Sequence, residues 1–129
     1  MFEPLPEVTE RVAKEIVDSA FCIHKALGPG LLESVYEACM CFELSKRGIT
    51  FQRQLSLPVI YESIRIDAGL RLDLLVADSV IVELKAVQDH HPVFEAQLHT
   101  YLKLTNRRLG LLINFNVPLI KEGIKRIVL

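Results

Sequence analysis

Three charged side chains, Asp73, Glu83 and Lys85, interrupt a stretch, residues 71–85, that otherwise reads as two buried β-strands and a short turn. Strands of that composition are usually covered on both faces. An unpaired carboxylate buried there costs on the order of several kcal/mol, so two of them in one hairpin need compensation. Carboxylates held close together offer hard oxygen ligands to Mg²⁺, with Mn²⁺ as its substitute. A neighbouring ammonium then remains free to meet a substrate anion. Hydrolysis of a phosphodiester needs such a set: an activated water, neutralisation of charge growing on the phosphoryl oxygens, and help for the departing alkoxide.

The spacing specifies a geometry. If Ala77, Asp78 and Ser79 form a three-residue loop, Val76 faces Val80, and counting back along antiparallel strands sets Asp73 opposite Glu83. Both carboxylates then share a face, and Lys85, two residues beyond Glu83, joins them by strand alternation. A two-residue loop would shift the pairing by one and turn Asp73 away.

The elements that must position these residues follow from periodicity. Val8, Val12, Ile16, Ala20, Ile23 and Leu27 recur at helical spacing until Gly28-Pro29-Gly30, which predicts a first helix over about 6–27. A second helix over about 31–47 has Leu32, Val35, Cys39 and Phe42 on one side. Glu33, Tyr36, Glu37 and Met40 form a mixed stripe on the other, and Gly48 is the stop. Leu55, Leu57, Val59 and Tyr61 alternate as a strand that Pro58 confines to a sheet edge. After the hairpin, Asp89 is a candidate cap and Pro92 suits the first turn of a helix reaching about Thr105. Residues 109–115 read as a buried strand and 124–128 as a terminal one. Three antiparallel strands followed by a helical crossover predict an α/β fold with a mixed four- to five-stranded sheet and helices on both faces.

With 129 residues, half of them apolar, the chain fits one domain over 1–129. The start, Met1-Phe2-Glu3-Pro4, does not resemble a secretory leader, and no segment is long enough to span a bilayer. Cys22, Cys39 and Cys41 are odd in number and lack Cys-x-x-Cys spacing, which predicts buried free thiols and a cytoplasmic location. A net charge of −1 argues against strong nonspecific polyanion binding. Lys46-Arg47, Arg53, Arg107-Arg108, Lys121 and Lys125-Arg126 read as scattered surface charge.

Gly30-Leu31-Leu32-Glu33-Ser34-Val35-Tyr36, with Asp73, Glu83-x-Lys85 and Gln97-x-x-x-Tyr101 in the same order, resembles the GxxExxY proteins of the PD-(D/E)xK nuclease superfamily. The resemblance runs from Ile23 to Phe115. It implies a restriction-endonuclease-like core and a metal-dependent phosphodiesterase acting on nucleic acid, DNA more than RNA. It further implies that Glu33, Asp73 and Glu83 bind Mg²⁺, that Lys85 stabilises charge or orients water, and that Gln97 and Tyr101 are helix-borne auxiliaries. A non-catalytic nucleic-acid- or protein-binding module on the same fold is the alternative. A homodimer or a partner subunit would enlarge the grip of so small a core.

Each residue also has a plainer reading. Glu83 and Lys85 would suit an exposed ion pair, although Ile81, Val82 and Leu84 beside them favour burial. Glu33 fits a first-turn acid favoured by the helix dipole. Gln97 and Tyr101 fit a packed helix with wet polar ends. His24, His90, His91 and His99 lack zinc spacing, and Asp67 and Asp78 suit turns.

Overall fold

The computed structural model describes residues 3–129. Met1 and Phe2, part of the stretch compared above with a secretory leader, lie outside the described residues. The order is α1 (Glu7–Leu27), α2 (Glu33–Lys46), β1 (Phe51–Tyr61), β2 (Ile64–Val76), β3 (Val80–Lys85), α3 (Pro92–Thr105), β4 (Leu109–Asn114), α4 (Ile120–Gly123) and β5 (Ile124–Val128).

The five strands form one sheet in the order β1-β2-β3-β4-β5. β1, β2 and β3 are antiparallel neighbours, β3 and β4 run parallel, and β4 and β5 are antiparallel. The parallel step is the one that α3 bridges, as a crossover requires. β1, which holds Pro58, is an edge strand as expected. Ile16, Ala20, Tyr36, Met40 and Leu44 of α1 and α2 pack with Val76, Val82, Leu84 and Ile113 on one face. Leu98, Tyr101 and Leu102 of α3 pack with Leu72, Leu75, Ile81 and Leu112 on the other. α3 lies close over β4 because Gly110 has no Cβ; one added there would stand 2.8 Å from the Leu98 side chain.

α1 is acidic in its first turn and basic in its last, which complements the helix dipole, and Gly28 at φ 70° ends it. Ala13, Ile16, Ala20 and Ile23 form its buried stripe, whereas Val8 and Leu27 are exposed. α2 turns its apolar side outward. Leu32, Val35 and Phe42 face solvent, and the mixed stripe with Tyr36, Glu37 and Met40 packs inward. Apolar residues on two sides of one helix leave periodicity with no single direction to report.

Smaller corrections have local causes. His91, not Asp89, caps α3, with its Nδ1 accepting the Val93 N–H at 3.1 Å. Asp67 sits within β2 beside Arg65 rather than in a turn, whereas Asp78 occupies the β2–β3 turn at φ 51°. All three cysteines are free, yet Cys22 is exposed and Cys39 and Cys41 are only partly covered. Among the described residues, no helix is long and apolar enough to cross a membrane.

Candidate functional site

β2 and β3 pair as Val76↔Val80, Leu75↔Ile81 and Leu74↔Val82 across the three-residue turn at Ala77, Asp78 and Ser79. Ala77 and Asp78 take φ of 50° and 51°, which lets so short a connection close. One more step of that register sets Asp73 across from Glu83, but the backbone ladder has ended there. The carboxylates replace it. The Asp73 N–H donates to Glu83 Oε2 at 2.8 Å, and the Leu84 N–H donates to Asp73 Oδ2 at 2.8 Å. Where the strands part, two N–H groups that would otherwise lose their partners are satisfied by carboxyl oxygens of the opposite strand.

Burial raises both acids, and a neighbouring carboxylate adds to it in each case, Asp73 acting on Glu83 and Glu37 on Asp73. Glu83, 5% exposed, is pushed up to about 8, first by loss of water and then by the charge of Asp73. Asp73 is also raised, mainly by burial, against the bond from Leu84 that favours its anion. Lys85 acts on both carboxyls and holds its Nζ 4.6 Å from the centre of the Phe94 ring. The aromatic face gives the ammonium a resting position beside the acids without neutralising it.

Glu33 opens α2. The residue as a whole is exposed, yet its carboxyl is coupled to Lys85, Asp73 and Glu37, with a favourable backbone contact from Ala86. Partial desolvation is the first cause of its raised pKa. Tyr36 explains why the start of α2 is fixed at this point. Fully buried, it stacks on Phe115 with ring centres 4.4 Å apart and planes 3° from parallel. Its hydroxyl donates to the Gly28 carbonyl at 2.6 Å and accepts the Leu31 N–H at 3.2 Å. The spacing of Gly30, Glu33 and Tyr36 is therefore mechanical. The tyrosine latches the Gly28–Leu31 turn, and the turn delivers Glu33 toward Lys85.

The two helix-borne auxiliaries divide. Tyr101 is buried and electrostatically coupled to Glu83 and Asp73, which together with desolvation raise its phenol. Gln97, one turn earlier, is exposed and makes no side-chain hydrogen bond among the described residues. Glu33, Asp73, Glu83, Lys85 and Tyr101 are thus brought into one electrostatic neighbourhood, and Gln97 stands outside it.

Two further residues belong to this neighbourhood. Glu37, one turn after Glu33 and 8% exposed, accepts from Arg53 Nε at 2.8 Å and from Gln54 Nε2 at 2.6 Å. Gln54 Nε2 also reaches Asp73 Oδ1 at 3.4 Å. The four-residue separation of Glu33 and Glu37 was the available signal. On the far side of Lys85, Asn114 holds the chain leaving β3: its Nδ2 donates to the Val87 carbonyl at 3.0 Å and its Oδ1 accepts the Val87 N–H at 3.1 Å.

The donor set fits a hard cation with a water-rich shell. Among the described residues, no three His, Cys, Asp or Glu side chains are gathered closely enough to enclose an ion. Asp73 and Glu83 each commit one oxygen to a backbone N–H. One or two carboxylates supplemented by water and substrate oxygens is the usual arrangement around Mg²⁺. Two of the histidines that lack zinc spacing have structural partners: His24 bonds the Val117 carbonyl at 2.8 Å and His91 serves as the cap.

A family model described as the PD-(D/E)XK nuclease superfamily matches residues 10–127. Neither a curated protein nor a solved structure matches the chain.

Proposed function

Because this chain belongs to the PD-(D/E)XK nuclease superfamily, we propose that it is a Mg²⁺-dependent phosphodiesterase that hydrolyses nucleic acid, DNA in preference to RNA. Within the superfamily, the Gly30, Glu33 and Tyr36 spacing favours the GxxExxY group. The observation that carries the reading is the break in the β2–β3 ladder. There Asp73 and Glu83 are fixed by each other's strand, with Lys85 on the neighbouring position of β3. Nothing in the packing of the core requires two acids at that break.

In this assignment Asp73 and Glu83 hold the cation through their remaining oxygens, and Glu33 reaches it directly or through water. Bound there, Mg²⁺ supplies an acidified water and charge neutralisation at the phosphoryl oxygens. Lys85, parked over Phe94, moves to a nonbridging oxygen or orients the attacking water. Tyr101 lends a hydroxyl at the edge of the site, and Gln97 acts from the exposed turn before it once a substrate is seated. Glu83 must lose its proton before it ligates, so metal affinity rises with pH through about 8. The chain acts as one domain, and its free thiols suit a reducing compartment such as the cytoplasm.

A second reading, a non-catalytic nucleic-acid- or protein-binding module, is favoured by the burial of Glu83, which with the charge of Asp73 pushes its carboxyl up to about 8 and disfavours the anion that a ligand must be. Calorimetric titration with Mn²⁺ at pH 8 separates the two. The nuclease reading expects binding that Asp73→Ala removes, together with metal-dependent cleavage of DNA. A wild-type protein that takes up no Mn²⁺ supports the module instead.

A further inference from the structure

We propose that the outer face of α1 and α2 is the contact surface between two copies of this chain. Leu32 is 74% exposed, Phe42 65% and Val35 37%, and with Cys39 they recur at intervals of three, four and three along α2. That spacing is the seam by which one helix packs on another. Leu27 and Leu31 widen the strip toward α1. Between the helices lies a cleft of about 340 Å³ flanked by Leu27, Cys39 and Phe42, large enough to receive a partner's side chain.

Size and charge select the occupant. The exposed apolar residues of the strip amount to roughly 600 Å² per copy, the upper end of the largest patch that a monomer usually shows. Two such strips facing each other would bury about 1,200 Å² before any charged rim is counted, the lower bound for a stable interface. The strip itself is uncharged, which gives a polyanion nothing to hold and lets the surface meet itself without repulsion. At its edge Lys46 and Glu43 pair at 3.0 Å, with the Lys46 ammonium 5.7 Å from the Phe42 ring.

The test is the mass of the intact chain in reducing buffer, by light scattering across a concentration series. The wild type is expected at twice 14.6 kDa, and Leu32→Asp and Phe42→Asp each at the single mass with the circular-dichroism spectrum of the folded chain, because both side chains are exposed on the single copy. A monomeric wild type at the highest concentration overturns the proposal, whatever other protein binds the strip. So does a dimer indifferent to both substitutions.

A separate observation concerns Asp73 and rests on the nuclease reading above. Gln54 is a non-glycine residue in the left-handed region, at φ 52°, a conformation that such residues occupy only when their surroundings impose it. The β1–β2 ladder pairs Arg53↔Leu74 and Leu55↔Leu72 and skips the step between, Gln54 with Asp73. There the Gln54 amide spans Glu37 and Asp73. We infer that Gln54, held by buried Glu37, is a positioning residue that fixes the Asp73 carboxylate for its cation.

Gln54→Gly removes the clamp and relieves the backbone. The expected result is a metal-free melting temperature equal to or above wild type, with Mn²⁺ affinity reduced about 10-fold or more, the usual effect of losing a residue that orients a ligand. A merely structural residue would move the two together. Hydrogen exchange of the Leu84 N–H, which Asp73 accepts, reads the clamp without metal and should accelerate in the variant. Unchanged Leu84 exchange overturns the inference whether or not the protein binds Mn²⁺, whereas a wild type without Mn²⁺ affinity overturns only the nuclease reading.

Discussion

Asp73 and Glu83 each stabilise the other's strand: the backbone N–H of Asp73 is bound by the Glu83 carboxylate, and the Asp73 carboxylate binds the N–H that follows Glu83 in the chain. The two acids are therefore structural, whatever else they do. Alanine at either position frees a backbone donor and lowers stability, on the order of 1–3 kcal/mol by the usual effect of an unsatisfied buried group. Asparagine at 73 and glutamine at 83 keep an acceptor and should fold well while losing cation affinity. Melting curves with and without Mn²⁺ on the four variants check this, and equal metal-induced shifts in wild type and Glu83→Gln would contradict it.

Lys85→Ala removes the ammonium poised over Phe94 beside the acids. We expect metal-dependent cleavage to fall by about 100-fold or more, with the Mn²⁺ affinity retained. Cleavage at the wild-type rate would take Lys85 out of the chemistry.

Stability should depend on pH through Glu83. An unfolded glutamate releases its proton near 4.5, whereas the folded one retains it to about 8. Between those values the native chain holds more protons than the unfolded chain, so stability is greatest below pH 4.5 for this group and falls as pH rises through 8. Asp73 and Glu33, both raised, act in the same direction. In metal-free buffer Glu83→Gln should flatten the slope and exceed wild type at pH 9, by an amount on the order of a few kcal/mol. Parallel melting profiles from pH 5 to 9 would show that Glu83 ionises normally.

Tyr36→Phe keeps the stack on Phe115 and loses both hydroxyl bonds to the Gly28–Leu31 turn. About 1–3 kcal/mol of stability should go with them. Cleavage should fall further than global stability explains, because Glu33 loses its fixed starting point; a rate unchanged after correction for folded fraction would separate the turn from the site.

Gly123→Ala should be among the most damaging small substitutions, since its Cβ would fall on the Asn114 carbonyl oxygen. Overpacking of that kind costs about 1–3 kcal/mol or more, measurable by urea denaturation. Because Asn114 holds Val87 just beyond Lys85, activity should suffer with it.

Much of this was legible in the residues themselves. The three-residue turn, the Val76↔Val80 pairing and the approach of Asp73 to Glu83 follow from strand alternation, and the parallel crossover follows from the helix between β3 and β4. The exchange of side-chain for backbone bonds at the break was not legible, because periodicity describes continuous ladders and says nothing of where two strands separate. Which side of α2 is buried was not legible, since its inward face holds Glu37 and its outward face Leu32 and Phe42, the reverse of what hydrophobicity alone selects. Gln54 gave no signal: a glutamine in a strand does not announce a positive φ. The four-residue α4 is too short to leave a period.

The hairpin of β1 and β2 continues past its register shift between Leu57 and Val59, and residues 60–69 at its far end are exposed throughout. Nothing in the two hydrophobic layers leans on that tip. Evolution can therefore lengthen, shorten or rewrite it as a detachable finger without retuning the acids, and an affinity tag spliced between Glu62 and Ser63 should leave the molecule folded, making this the natural handle by which to immobilise it.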